Sequence, residues 1–370
     1  MNRKLNIGAF QFFSIIFLFE MGSATLVGLA SGAMQDAWIS VLLALAAGCL
    51  LFIVYIKLFE LYPELPFTKY IQDILGKFTG KILAMLYIVY FIYLGARVLR
   101  DFEELLVITL YNASSLISIG ILLMFLVMYA IFKGFEVFAR VNEFLFMIII
   151  VIIATIIGFE IIAGLVDTNN LKPVLETGWK TIIKEAYPLT LTFPFGEMIA
   201  FTMLMPYLKK KEYAWKYGLT GLVFAGIVLT LITIINISIL GSNTVVRATY
   251  PILTAVSYIN IADFIQRLDS IVVIVMVIGG FIKIAVFFYC AMIGAADLFK
   301  VKKSDTLTYP IAFIILVSSV WMAPDYLEHY KEGLDIVPYF LHIPLQIVIP
   351  LILFVIAFIQ HKTKTKENAA

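Results

Sequence analysis

Phe193-Pro194-Phe195-Gly196-Glu197 stands in the middle of an apolar run that extends from Ile183 to Tyr207. A helix carried through it loses a hydrogen bond at the proline, and the glycine tolerates the unwound backbone that follows. Backbone of this kind survives inside an apolar layer only where protein or a cavity satisfies its polar groups. The stretch is therefore read as an interruption built into a membrane helix. A second interruption lies near the N-terminus, where Glu20-Met21-Gly22-Ser23-Ala24-Thr25 puts small residues in mid-run.

Composition makes that apolar layer a bilayer. Hydrophobic residues form 62% of the 370-residue chain and charged residues 14%, against roughly 45–50% and 25% in soluble domains. A globular chain of this length has too little interior to hide so much apolar surface. A soluble enzyme, a nucleic-acid binder and a disordered scaffold are excluded, and 27 basic against 25 acidic residues offer no polyanion-binding surface. Cys49 and Cys290 both lie in apolar runs and read as small hydrophobes, with no disulfide framework or zinc site.

Ten stretches reach or approach the ~20 apolar residues that a spanning helix needs. They are Ile7 to Ala30, Trp38 to Phe59, Ile82 to Leu106, Leu116 to Phe132, Phe144 to Val166, Ile183 to Tyr207, Tyr217 to Leu240, Leu268 to Leu298, Leu307 to Met322 and Ile336 to Gln360. The first is too long for a signal-peptide core and lacks a small-residue cleavage site. With the N-terminus in the cytoplasm, 18 lysines and arginines fall inside, among them Arg3, Lys4, Lys209, Lys210, Lys211, Lys364 and Lys366. Only six fall outside, Lys172, Lys180, Lys184, Arg247, Arg267 and Lys331, while Arg97, Arg100 and Lys283 lie within spans. That bias predicts ten spans with both termini inside.

Ten spans divide into five plus five, residues 7–166 and 183–360, with a basic cytoplasmic tail at 361–370 and no second domain. Odd-numbered halves sit in the membrane with opposite orientation, and inverted repeats of this kind carry a discontinuous helix at matching places. The two interruptions occupy the first helix of each half. A second correspondence is independent: Pro66 opens a short helix pattern through Leu75, and Pro251 opens another from Ile252 to Ile265. One lies inside and one outside, as inversion demands. The expected fold is an all-α polytopic membrane protein, ten transmembrane helices in a 5+5 inverted repeat, with helices 1 and 6 discontinuous.

Three stretches taken in order carry a family resemblance. Phe193 to Glu197 continues through Phe201 to Pro206-Tyr207; Arg267-Leu268-Asp269-Ser270 leads into Phe281-Ile282-Lys283-Ile284-Ala285-Val286 and Tyr289; Arg100-Asp101-Phe102-Glu103-Glu104-Leu105 closes the third span. Together they resemble the spore germination permease family, the GerAB-type B subunits of nutrient germinant receptors, over essentially the whole chain. That family is similar to amino acid, polyamine and organocation transporters of leucine-transporter architecture. The resemblance implies a sensor of small nutrients in the spore inner membrane, working with an A subunit and a lipoprotein C subunit. The alternative is an amino-acid transporter coupled to protons or acting as an exchanger.

Candidate site residues follow from the interruptions. Unwinding at Gly22, Ser23, Ala24 and Thr25 bares backbone groups, and a half-helix N-terminus suits a substrate carboxylate. Carbonyls from Phe193, Pro194, Phe195 and Gly196 suit an ammonium, with the two phenylalanines walling the ligand. Lys283 stands about 22 Å along its helix, near the bilayer centre. A lysine there costs about 2.5–3.5 kcal/mol or more, so it must face protein. It is read either as a stand-in for the cation that sodium-driven relatives hold between helices 1 and 8, or as an ion-pair partner of Glu20 or Glu160. Glu197 is expected to cap the restarted half-helix. Tyr93, about 18 Å into its span, is a candidate ligand contact. Arg97 to Asp101 and Arg100 to Glu104 are expected to neutralise each other at i,i+4 and to snorkel. His329, His342 and His361 lack metal-ligand spacing. No nucleophile–base–acid arrangement or phosphate loop is visible, which points away from an enzyme and calls for no cofactor. The expected partners are a small nutrient, membrane lipid and the two other subunits.

Overall fold

The computed structural model describes the backbone of residues 6–261 and 268–367, with side chains to residue 363. Arg3, Lys4, Arg267, the 262–265 part of the second loop helix, residues 368–370 of the tail and the tail side chains from 364 onward lie outside what is described. The described chain is helical, with an isolated bridge of strand type between Ile7 and Leu208.

In chain order the helices are α1 (Ala9–Met21), α2 (Ala37–Leu61), α3 (Phe67–Leu75), α4 (Lys77–Thr109), α5 (Leu116–Phe132), α6 (Phe135–Ile162) and α7 (Gly178–Glu185). They continue as α8 (Leu219–Leu240), α9 (Ser242–Arg247), α10 (Pro251–Val256), α11 (Asp269–Leu298), α12 (Thr308–Trp321), α13 (Tyr326–Asp335) and α14 (Ile349–Glu367). Among the described residues, seven helical segments are long and apolar enough to cross a membrane, and Ala9–Thr25 and Leu116–Phe132 are shorter apolar ones.

α1 runs through the centre of the bundle against α6, α8 and α11. Aromatic rings fix it there: Phe17 meets Phe146 and Phe224, and Phe19 meets Phe201 and Phe287, at 5.0–5.3 Å between centroids. Such offset and edge contacts add stabilisation beyond apolar burial. α11 lies along α4, and α2 along α8.

Both interruptions are present. α1 ends at Met21; Gly22 leaves helical geometry at φ −29°, ψ −111°, and one 3-10 turn, Ser23–Thr25, follows. The reason is a close backbone approach. A Cβ on Gly22 would lie 2.9 Å from Lys283 Cδ and 3.2 Å from the Gly279 carbonyl, and one on Gly279 would meet Gly22 Cα at 3.1 Å. Only glycines let α1 and α11 touch here. The second interruption extends over more residues. A π turn (Ala186–Thr190) leads through Leu191 and Thr192 to Pro194, after which Phe195–Met203 is 3-10 helix.

α3 starts after Pro66, as its pattern predicts, and Gly76 at φ +82° turns the chain into α4. That backbone conformation is open to glycine at little cost. α10 starts at Pro251 and rests against α8 and α11.

Candidate functional site

The two interruptions meet beside α11. Lys283 is fully buried, and its Nζ lies 2.5 Å from Glu197 Oε2, an approach close enough for an ion pair but without hydrogen-bond angles. The rings of Phe19 and Phe193 flank the ammonium at 5.0 and 4.9 Å, where the negative face of each ring attracts a cation. Glu20, also fully buried, lies in the field of Lys283 and Glu197 yet makes no hydrogen bond. One cation and two carboxylates are thus supplied by three segments far apart in sequence.

A cavity of about 60 Å³ opens next to this cluster, lined among others by Ser23, Phe193, Glu197, Arg97, Asp101 and His342. Tyr330 and Leu334 of α13, together with Val27 and Phe193, separate it from an outer cavity of about 220 Å³ beside Gly28–Gly32 and Glu185. The hydroxyl of Ser23 is buried without a hydrogen-bond partner.

α14 is preceded by a π-helical segment, Pro338–Val348, that faces the same region. Ile349 donates to the Pro344 carbonyl, five residues earlier, and in that register the Leu345 carbonyl loses the donor that Pro350 lacks. Tyrosines of the neighbouring helices donate to this segment. Tyr55 of α2 donates to the Gln346 carbonyl at 2.5 Å and, more weakly, to that of Gly196 at 3.4 Å. Tyr87 of α4 donates to the Leu345 carbonyl at 2.6 Å. This fixes a side-chain chain in which Gln346 Nε2 lies 2.8 Å from the Tyr90 hydroxyl, itself 2.7 Å from His342 Nδ1. A methyl group added at Gly196 would overlap Gln346 Oε1.

Several sequence expectations change place. Glu197 does not cap the 3-10 segment, which has no side-chain cap bond; its carboxylate goes to Lys283. Glu160 is not a partner of Lys283 but lines an apolar cavity of about 40 Å³ between α6, α8 and α11. Thr25 lines that same cavity and bonds the Gly22 carbonyl, while Ala24 faces α8. Phe193 borders the Ser23 cavity, but Phe195 turns away onto Gly48 of α2. Pro194 opens the 3-10 segment and lines no described cavity. Tyr93 only supports Arg97, through a long 3.4 Å contact and its ring.

Of the charges near the end of α4, Arg100, Glu103 and Glu104 are buried rather than snorkelling, and Arg97 and Asp101 are half-buried. Arg100 pairs with Glu104 through Nη2 at 2.9 Å and Nε at 3.0 Å as expected, and its Nη1 reaches the Ser319 and Val320 carbonyls at 3.4 Å. Arg97 does not pair with Asp101. It donates to the His329 carbonyl at 2.7 Å, while Asp101 lies 2.8 Å from His329 Nε2, so both hold α13 against α4.

Sequence reasoning missed Tyr90, His342 and Gln346. Pro344 and Pro350, six residues apart in an apolar run, are the signal that was available.

Comparison with known proteins agrees with this architecture. The chain is 37% identical over 365 residues to spore germination protein KB of Bacillus subtilis (strain 168), covering 99% of this chain and 98% of that protein. It is 28% identical over 285 residues to spore germination protein YndE of the same organism, covering 76% and 77%. Its fold matches Mhp1, a nucleobase-cation-symport-1 family transporter solved in a closed conformation with bromovinylhydantoin bound. There the TM-score is 0.66 at 15% identity, over 90% of this chain and 75% of the transporter. The family model for spore germination proteins matches residues 6–327, and the chain belongs to that spore permease family.

Proposed function

We propose that this chain is the nutrient-sensing B subunit of a spore germinant receptor. It binds a small nutrient where helices 1 and 6 are interrupted and signals to A and C subunits to start germination. The observation that carries this reading is a group of unpartnered buried polar atoms at the interruptions, with others, such as those of Thr68, Asn142 and Asp269, scattered elsewhere. Glu20, Ser23 and Gln346 Oε1 all lie at or beside the two interruptions, and Lys283 with Glu197 adds an ion pair lacking hydrogen-bond geometry. Buried polar groups without partners are rare in folded proteins, and a cluster of them beside a cavity fits a site for a polar ligand.

Signalling requires two conformations that the ligand binds unequally, because equal affinity shifts no population. The interruption at Pro194 to Gly196 is the moving part in this scheme, since Tyr55 ties the Gly196 carbonyl to the segment before α14. Lys283 then occupies the place of a coupling cation, with Glu20 and Glu197 as its counter-charges. The chain catalyses no reaction. It spans the spore inner membrane ten times as a 5+5 inverted repeat with both termini on the core side. Cysteine labelling places this topology: Lys209→Cys should react from the core side and Asn243→Cys from the opposite side.

A transporter is the second reading, supported by the fold shared with Mhp1. The two separate in one experiment. Purified protein in liposomes is assayed for uptake of labelled L-alanine, D-glucose and inosine, alongside germination of spores lacking only this chain. A germination defect without uptake supports the sensor; uptake with normal germination overturns it.

A further inference from the structure

His342 is buried, with 4% of its surface exposed, yet it borders the cavity that Ser23, Phe193 and Glu197 also line. Its Nδ1 is engaged by the Tyr90 hydroxyl, and among the described residues no protein group bonds its Nε2. The Tyr90 oxygen accepts from Gln346 Nε2, so its own hydrogen is directed to Nδ1. A neutral imidazole that accepts at Nδ1 must carry its proton on Nε2. The π segment that carries His342 and Gln346 is itself anchored by Tyr55 and Tyr87, which donate to the Gln346 and Leu345 carbonyls.

We propose that His342 is a ligand-recognition residue that presents an Nε2–H donor to the cavity, and that Tyr90 and Gln346 are positioning residues that set its tautomer. This rests on the cavity beside the two interruptions being the nutrient site, and it adds a chemical requirement. The nutrient must offer an acceptor oxygen to the wall formed by the tenth apolar stretch. The charges around the cavity cancel in sum, Lys283 against Glu197 and Arg97 against Asp101. A neutral or zwitterionic molecule therefore fits better than a simple ion, because burying an unmatched charge is costly. A carboxylate, a carbonyl and a hydroxyl would each serve Nε2–H.

The test has two readouts. Imidazole 15N chemical shifts of the full-length protein in lipid nanodiscs report the tautomer, with the His342 signals assigned by their loss in His342→Phe. The expected result is the Nε2-protonated neutral form, replaced by a tautomer mixture in Tyr90→Phe. A neutral Nδ1-protonated form, which requires the reversed Gln346 amide, overturns the proposal. The second readout is germination of spores at matched protein level against a defined mixture of the twenty L-amino acids, D-glucose and inosine. His342→Phe keeps the ring and removes the donor, and should raise the half-maximal concentration at least tenfold; Tyr90→Phe should raise it several-fold. A parental response in His342→Phe overturns the proposal. If Gly196→Ala is parental as well, the site itself is wrong; if Gly196→Ala fails while His342→Phe does not, only the role of His342 falls. Should His342→Phe not accumulate, Tyr90→Phe decides, and a parental response there overturns the proposal.

Discussion

Lys283 and Arg100 are both buried cations in an apolar protein, with 0% and 2% of their surfaces exposed, and their surroundings differ in kind. Arg100 meets Glu104 one turn along the same continuous helix and adds two carbonyls of α12. Glu103 beside it accepts from the Ser319 hydroxyl. Lys283 instead lies against the Glu197 carboxylate and in the field of Glu20, carboxyl groups of separate segments, next to glycine contacts, interrupted helices and a cavity. A guanidinium with several fixed acceptors holds one geometry, whereas a point-charge ammonium beside carboxyl groups of separate segments tolerates rearrangement. The first cluster looks built to hold helices together, and the second to change.

Removing the cation from each cluster gives the largest effects. Lys283→Met and Arg100→Met each strand buried carboxylate charge, and losing one partner of a buried pair costs about 3–5 kcal/mol. Both variants should show sharply lowered thermal unfolding midpoints in detergent and reduced accumulation. Second changes then break the symmetry. Lys283→Met with Glu197→Gln should recover stability but not the nutrient response, whereas Arg100→Met with Glu104→Leu should recover both. Recovery of the response in the Lys283 double variant would make that cluster as structural as the other.

Glycines give the next test. An added methyl group at Gly196 overlaps Gln346 Oε1, and at Gly120 it overlaps Glu103 Oε1 and crowds Leu316. Overpacking of this sort costs about 1–3 kcal/mol. Gly196→Ala should raise the nutrient concentration for half-maximal germination at least tenfold, while Gly120→Ala lowers stability and leaves that concentration alone. Gly158, with nothing within 4 Å of its added Cβ, is the control and should match the parent in both measurements. A shift of equal size in Gly120→Ala would show that any loosening of the bundle disturbs sensing.

Much of this difference was legible in the sequence, and the remainder was not for identifiable reasons. Pro194, Gly196 and Gly22 announce broken backbone by their covalent chemistry, and Lys283 announces burial by its depth in an apolar run. Its partner does not follow from spacing, because Glu197 lies in a different segment and only the fold brings the two together. Tyr93 and Tyr90 are less than one helical turn apart on α4, yet they face different surroundings. A run apolar on all sides carries too little periodicity to say which tyrosine reaches His342. His342 and Gln346 escaped because their placement depends on a π segment, a departure from α geometry that Pro344 and Pro350 hint at without specifying.

The smallest effect expected makes the finest distinction, since the same substitution can be placed in both clusters. Glu103→Gln keeps an oxygen to accept from Ser319, and the other Glu103 oxygen has no partner to lose. Its stability should stay within about 1 kcal/mol of the parent, the scale of one hydrogen bond, with no change in the response. Glu20→Gln also keeps the shape and breaks no hydrogen bond, because neither Glu20 oxygen makes one. What it removes is the second carboxyl group in the field of Lys283, so the ammonium is left with Glu197 alone. Stability should again change by about 1 kcal/mol or less. The nutrient concentration for half-maximal germination should nevertheless move several-fold, because the balance of charge at the moving interruption sets which conformation is favoured. Paired measurements of unfolding midpoint and dose response on the two variants decide it. Equal responses would mean that the second carboxyl group in the field of Lys283 has no more part in sensing than Glu103 does.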